Sequence, residues 1–136
     1  MKKLIIFCLA LVALSSCSIK DDTPNYGLVI LPVESVEIPN SFNLGGEYPI
    51  TVSYLKPSTC NAFKEFYYLE HNNEITVAVI DYEFHGSNCQ ILENELLEAT
   101  FNFKVTSNGS YIFKFWQGED VNGEDQYLII EVPVIN

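Results

Sequence analysis

Arginine is absent from this chain, and its seven basic residues, all lysines, stand against eighteen acids, for a net charge of −11. A surface of that sign repels phosphate backbones, which excludes nucleic acid as a partner and also a polybasic grip on anionic lipid. Histidine is nearly as scarce. His71 and His85 flank a predicted strand whose ten or so residues, at ~3.3 Å each, hold them ~30 Å apart. They can share neither a metal nor a catalytic proton. No GxSxG, HExxH, Walker or dinucleotide fingerprint occurs, and without a base the many Ser and Thr hydroxyls have no activating partner. The abundance of acids leaves carboxylate pairs of the glycosidase kind as the one catalytic arrangement still open. No catalytic residue is assigned, and the chain is not expected to be an enzyme. Long apolar runs are missing too: the longest, Leu4 to Leu14, spans about eleven residues at ~1.5 Å each, well short of a ~30 Å hydrocarbon core.

That run does carry meaning where it stands. Lys2 and Lys3 precede it, and two small residues and a cysteine follow it, which is the order of a signal peptide. An ordinary secretory signal cleaved near Ser15 would leave Cys17 as a thiol. The four residues Leu14-Ser15-Ser16-Cys17 resemble the lipobox of bacterial lipoproteins, and that resemblance implies cleavage before Cys17 and diacylglycerol, with further acyl groups such as palmitate, on its thiol. One acyl chain anchors only marginally at ~0.8 kcal/mol per buried methylene, whereas two or three would hold the protein at the membrane essentially permanently. Residues 1–16 are thus read as signal peptide and 17–27 as lipidated cysteine and tether. Losing Lys2 and Lys3 takes the net charge from −11 to −13. The Lys20-Asp21-Asp22 triplet resembles the export signal that sends Bacteroidetes lipoproteins to the outer face of the outer membrane. A lipid-anchored, surface-exposed outer-membrane location is the expectation, with the membrane itself as the first partner.

The mature part is too rich in apolar and aromatic residues to be disordered and is sized for one domain, residues 28–136. Of its two cysteines, Cys60 and Cys89, neither has a His or further Cys at metal-ligand spacing, so in an oxidising compartment a disulfide is expected. Strand and turn signals alternate throughout, with no sustained helical period. Leu28 to Ile38 reads as one strand interrupted by Pro32. Tyr48 to Tyr54 alternates, Phe63 to Leu69 follows, and Ile75 to Phe84 shifts its apolar phase as if a bulge lay near Ala78 to Ile80. Glu93 to Glu98 has room for one helical turn; Leu97 to Val105, Tyr111 to Trp116 and Tyr127 to Ile135 complete the set. About seven such strands predict an all-β, antiparallel two-sheet sandwich of immunoglobulin-like order. Val36-Glu37-Ile38-Pro39, Gly45-Gly46 and Gly109-Ser110-Tyr111-Ile112-Phe113 are similar to bacterial immunoglobulin-like extracytoplasmic modules, and the whole resembles small uncharacterised Bacteroidetes envelope lipoproteins. In that order Cys60 and Cys89 fall in neighbouring loops.

Two readings of function remain. In the first the sandwich is a structural or protein-interaction module of the envelope, and the distal asparagines Asn40, Asn43, Asn72, Asn73 and Asn108 face a partner protein. In the second it binds a small ligand. Glu119, Asp120, Asn122 and Asp125 gather oxygen ligands around an Asn122-Gly123 hairpin expected as a two-residue type I′ turn, a setting for Ca²⁺, though not an EF-hand loop. Ile112, Lys114 and Trp116 share the outward face of their strand, so the Trp116 ring could stack on a glycan beside those acids. No metal or cofactor beyond the acyl anchor is assigned with more than that motivation.

Overall fold

Alternation between apolar and polar residues runs through the chain from Tyr26 onward, and among the described residues it is realised as nine strands in two facing sheets. The computed structural model describes Cys17 and residues 23–135. The expected signal peptide, residues 1–16, and the Lys20-Asp21-Asp22 triplet lie outside the described residues. In chain order the strands are β1 (Tyr26–Leu31), β2 (Val33–Glu37), β3 (Phe42–Asn43), β4 (Glu47–Leu55), β5 (Asn61–His71), β6 (Glu74–Phe84), β7 (Leu96–Lys104), β8 (Ser110–Glu119) and β9 (Asp125–Ile135).

The expected all-β, two-sheet sandwich is what the chain forms, with nine strands where about seven were read. Two differences account for the number. Pro32 does more than interrupt the opening strand: it turns the chain from one sheet into the other, so that β1 pairs with β6 while β2 pairs with β4. The second is β3, a two-residue strand that runs parallel to the end of β9.

The larger sheet is built on β6. One edge of it pairs with β5 along almost its whole length, and the other is shared: β8 runs parallel to Glu74–Val77, and β1 runs antiparallel to Val79–Phe84. β9 and β3 follow beyond β8, and the smaller sheet is β2-β4-β7. An immunoglobulin-like order would place β5 beside β8; here β6 stands between them. Tyr111, at the start of β8, nevertheless accepts hydrogen bonds at its hydroxyl from the Thr106 and Ser107 amides at 3.2 and 3.0 Å. That is the tyrosine corner of such sandwiches.

Inward side chains from both sheets make one core, with Phe42, Ile50, Val52, Ile75, Val77, Val79, Phe113 and Phe115 fully buried. β6 needs no bulge to contribute: Ile75, Val77, Val79 and Asp81 all point inward, while Ile80, Tyr82 and Phe84 point outward and meet Ile30, Leu28 and Tyr26 of β1. The irregularity falls on β5 instead, between Phe63 and Glu65. No helical turn forms at Glu93 to Glu98; Ile91 bridges to Ser58, and β7 begins at Leu96. Backbone pairing to β4 from Leu96 onward uses the amides that a helical turn would need. Cys60 and Cys89 form the expected disulfide, Cα atoms 5.4 Å apart, joining the β4–β5 and β6–β7 loops.

Candidate functional site

The outward faces of the two sheets are chemically unlike. On the smaller sheet, Glu37, Thr51, Ser53, Glu98, Thr100, Asn102 and Lys104 make a polar face. On the larger one, register brings Tyr26, Leu28 and Ile30 of β1 beside Phe84, Tyr82 and Ile80 of β6, then Tyr67 and Leu69 of β5, with Ile112 and Trp116 of β8 and Ile129 and Tyr127 of β9 completing the face. Leu28 is 56 % exposed and Ile129 61 %. Soluble monomers rarely leave contiguous apolar patches larger than roughly a few hundred Å² in water, and larger ones mark interaction sites.

A cleft of about 300 Å³ lies within this face, lined by Ile30, Tyr67, Thr76, Ala78, Trp116, Glu119, Asp125 and Tyr127. Ala78 is small, and that leaves the depression between the rings of Tyr67 on one side and Trp116 and Tyr127 on the other. Trp116 is half-buried and fixed, its Nε1 donating to Asp125 Oδ1 at 2.9 Å. Lys114 sits 4.6 Å over the Tyr127 ring and 3.4 Å from Glu74 Oε1, an opposite charge beside it. The cleft thus offers aromatic walls and two carboxylates, the chemistry of a sugar-stacking or apolar-peptide site.

The hairpin beside it is organised differently from its expected form. Asn122 does not take the left-handed conformation that a type I′ turn requires; Gly123 alone does, at φ 78°. Instead Asp120 builds a wider loop: its carbonyl accepts from the Gly123 amide, and its Oδ1 accepts from the Asn122 and Glu124 amides at 2.8 and 3.0 Å. An Asp that bonds its own backbone two residues on stabilises a turn without help from a ligand. Of the four residues considered for Ca²⁺, the structure brings Glu119 and Asp125 together on the cleft and turns Asp120 onto the loop backbone. Among the described residues no group of three or more His, Cys, Asp or Glu side chains is placed to hold a metal ion.

The remaining candidates are scattered. His71 and His85 are exposed at opposite ends of β6. Asn73 bridges loops at the distal end, donating to the Asn108 and Ser110 carbonyls and accepting from Ser107 Oγ, and Asn72 takes the turn's left-handed position at φ 55°. Asn72 thus serves its own turn, and Asn73 ties that turn to the β7–β8 connection. Cys17 is exposed and free of any disulfide.

One buried group was invisible from sequence. Asp81 is fully buried, neither carboxylate oxygen has a hydrogen-bond partner among the described residues, and the Asn61 side-chain nitrogen is likewise without one. Burial pushes the Asp81 carboxyl above its ordinary value, partly offset by the nearby Tyr54 hydroxyl and Lys56. Burial and the Asp81 charge in turn push the Tyr54 hydroxyl up to about 12. Asp81 faces the core between β4 and β6, away from the cleft, and belongs to the stability of the sandwich.

No protein family, curated protein or solved structure matches this chain.

Proposed function

We propose that the chain is a non-enzymatic cell-envelope protein, held at the outer-membrane surface by acyl groups on Cys17, whose sandwich is a protein-interaction module. The observation that carries the interaction role is the apolar outward face of the six-stranded sheet, running from Tyr26 and Leu28 to Ile129. The lipobox-like Leu14-Ser15-Ser16-Cys17 supports the anchor. Acids rim the face at Glu65, Glu119, Asp125 and Glu131, so its partner is expected to pair apolar contacts with a basic border.

Glycan binding is the second reading, favoured by the Tyr67, Trp116 and Tyr127 rings around the cleft and by the Asp125 bond that holds the Trp116 ring. Trp116→Ala would then abolish glycan retention, whereas a protein partner touching the whole face would keep most of its affinity.

The anchor is tested by fractionation and mass spectrometry of the native chain. An acylated amino-terminal Cys17 in the outer-membrane fraction, released to the soluble fraction by Cys17→Ser, is the expected result. An unmodified amino terminus on soluble wild-type protein would remove this part of the reading.

A further inference from the structure

A second surface, separate from the apolar face, lies along the side of the sandwich where β5 and β7 form the free edges of their sheets. β5 crosses the smaller sheet diagonally: Phe63 packs on Tyr54 of β4, and further along Phe66 and Tyr68 pack on Phe101 of β7. Toward Glu70 it passes beyond β7, and a groove of about 480 Å³ opens between them, with Phe66, Tyr68, Phe101 and Phe103 in its walls. Tyr68 points toward the smaller sheet and meets it at Phe101, yet stays 42 % exposed on the groove side.

The edges of the two sheets are not equally guarded. β2 has five residues, a register break and a proline just before it at Pro32; β3 has two residues; β5 is bulged near Lys64. Such devices prevent unwanted strand pairing. β7 has none of them. Its nine residues run in unbroken register with β4, without proline, and leave the opposite row of backbone groups unpaired.

We propose that one extended segment of another protein adds to the free edge of β7 as a fourth strand of the smaller sheet, its alternate apolar side chains filling the groove against Phe66, Tyr68 and Phe101. The backbone edge supplies affinity and the aromatic groove supplies side-chain selection, the mode of strand addition. The segment needs bulky apolar residues at every second position, and a lysine opposite Glu98 gains a cross-strand ion pair. Neither the stretch before β1 nor the last strand supplies a donor: Ser18 to Asn25 has a single apolar residue, Ile19, and β9 lies toward the other edge of the larger sheet. A second folded copy is disfavoured because β5 overhangs the space that its sandwich would enter.

The test uses the full mature chain in detergent, a synthetic nonapeptide of alternating Val and Thr, and the same peptide N-methylated at every second residue. Binding of the first should slow exchange of the β7 amides by roughly tenfold or more, and N-methylation, which keeps the side chains but removes edge hydrogen bonds, should weaken binding by roughly tenfold or more. Equal binding of both peptides, absence of binding, or protection confined to the outward face of the larger sheet would overturn the proposal. So would β7 amides already protected without peptide in a concentration-dependent dimer, since the edge would then belong to a second copy.

Discussion

Tyr111 shows how much one side chain can hold in this molecule. Its ring is buried against Phe42, Phe103 and Phe113, and its hydroxyl closes the loop before β8 by accepting from two backbone amides. Burial alone would raise its pKa, but the hydrogen bonds from Ser107 and Thr106 outweigh it and lower the value. Tyr111→Phe keeps the packing and orphans those donors, so it should destabilise the fold by about 1–3 kcal/mol in urea unfolding. Asp81 is the opposite case. A carboxyl whose folded pKa lies above its unfolded value takes up a proton on folding, so its contribution is fully present below the unfolded pKa and is lost as pH rises through the folded one. Asp81→Asn should therefore be more stable than wild type at about pH 7, by about 1–3 kcal/mol, with the gap narrowing toward about pH 4. Parallel urea titrations at the two pH values measure it, and a gap independent of pH would contradict the assignment.

At the scale of elements, the disulfide and the sheet switch at Pro32 set the architecture. Cys60–Cys89 closes a separation of 29 residues. Reducing it should lower stability by about 3–4 kcal/mol, read as a shift in the urea midpoint with and without dithiothreitol. The pairing was legible because Cys60 and Cys89 are the two cysteines of the sequence beyond Cys17. The corner at Pro32 was half legible: proline cannot donate to a ladder, but sequence does not say that the chain changes sheets there. β6 carries the sharper lesson. Its outward Ile80, Tyr82 and Phe84 read as a phase slip because an outward face was assumed to be polar; the strand keeps one phase and both of its faces are apolar. That same assumption hid Tyr67, Ile30 and Tyr127 from the candidate site. Trp116 was found because Lys114 marked its face as outward. The Asn122-Gly123 turn was misread since Asp120, a local competitor for the backbone amides, outweighed the pair's preference for type I′.

For the whole molecule, the contrast between its two outward faces is the feature that function must explain. One is polar and ordinary; the other exposes Leu28, Ile30, Leu69 and Ile129 side by side on one sheet of an acidic chain. β1 starts at Tyr26 opposite Phe84, close to the disulfide, so the chain enters the sandwich at that end, with the apolar face along its flank. Polar substitutions there, such as Leu28→Thr with Ile129→Thr, should leave urea stability within about 0.5 kcal/mol of wild type, because both side chains are largely exposed already. Their effect should fall on binding. Photo-crosslinking in intact cells, with the reactive group at position 129 in the anchored protein, tests this most directly. One envelope protein should be joined from position 129, with less product in the Leu28→Thr variant and none when the reactive group stands at position 37 on the polar face, away from β7. Equal products from positions 37 and 129, or none from position 129, would contradict it.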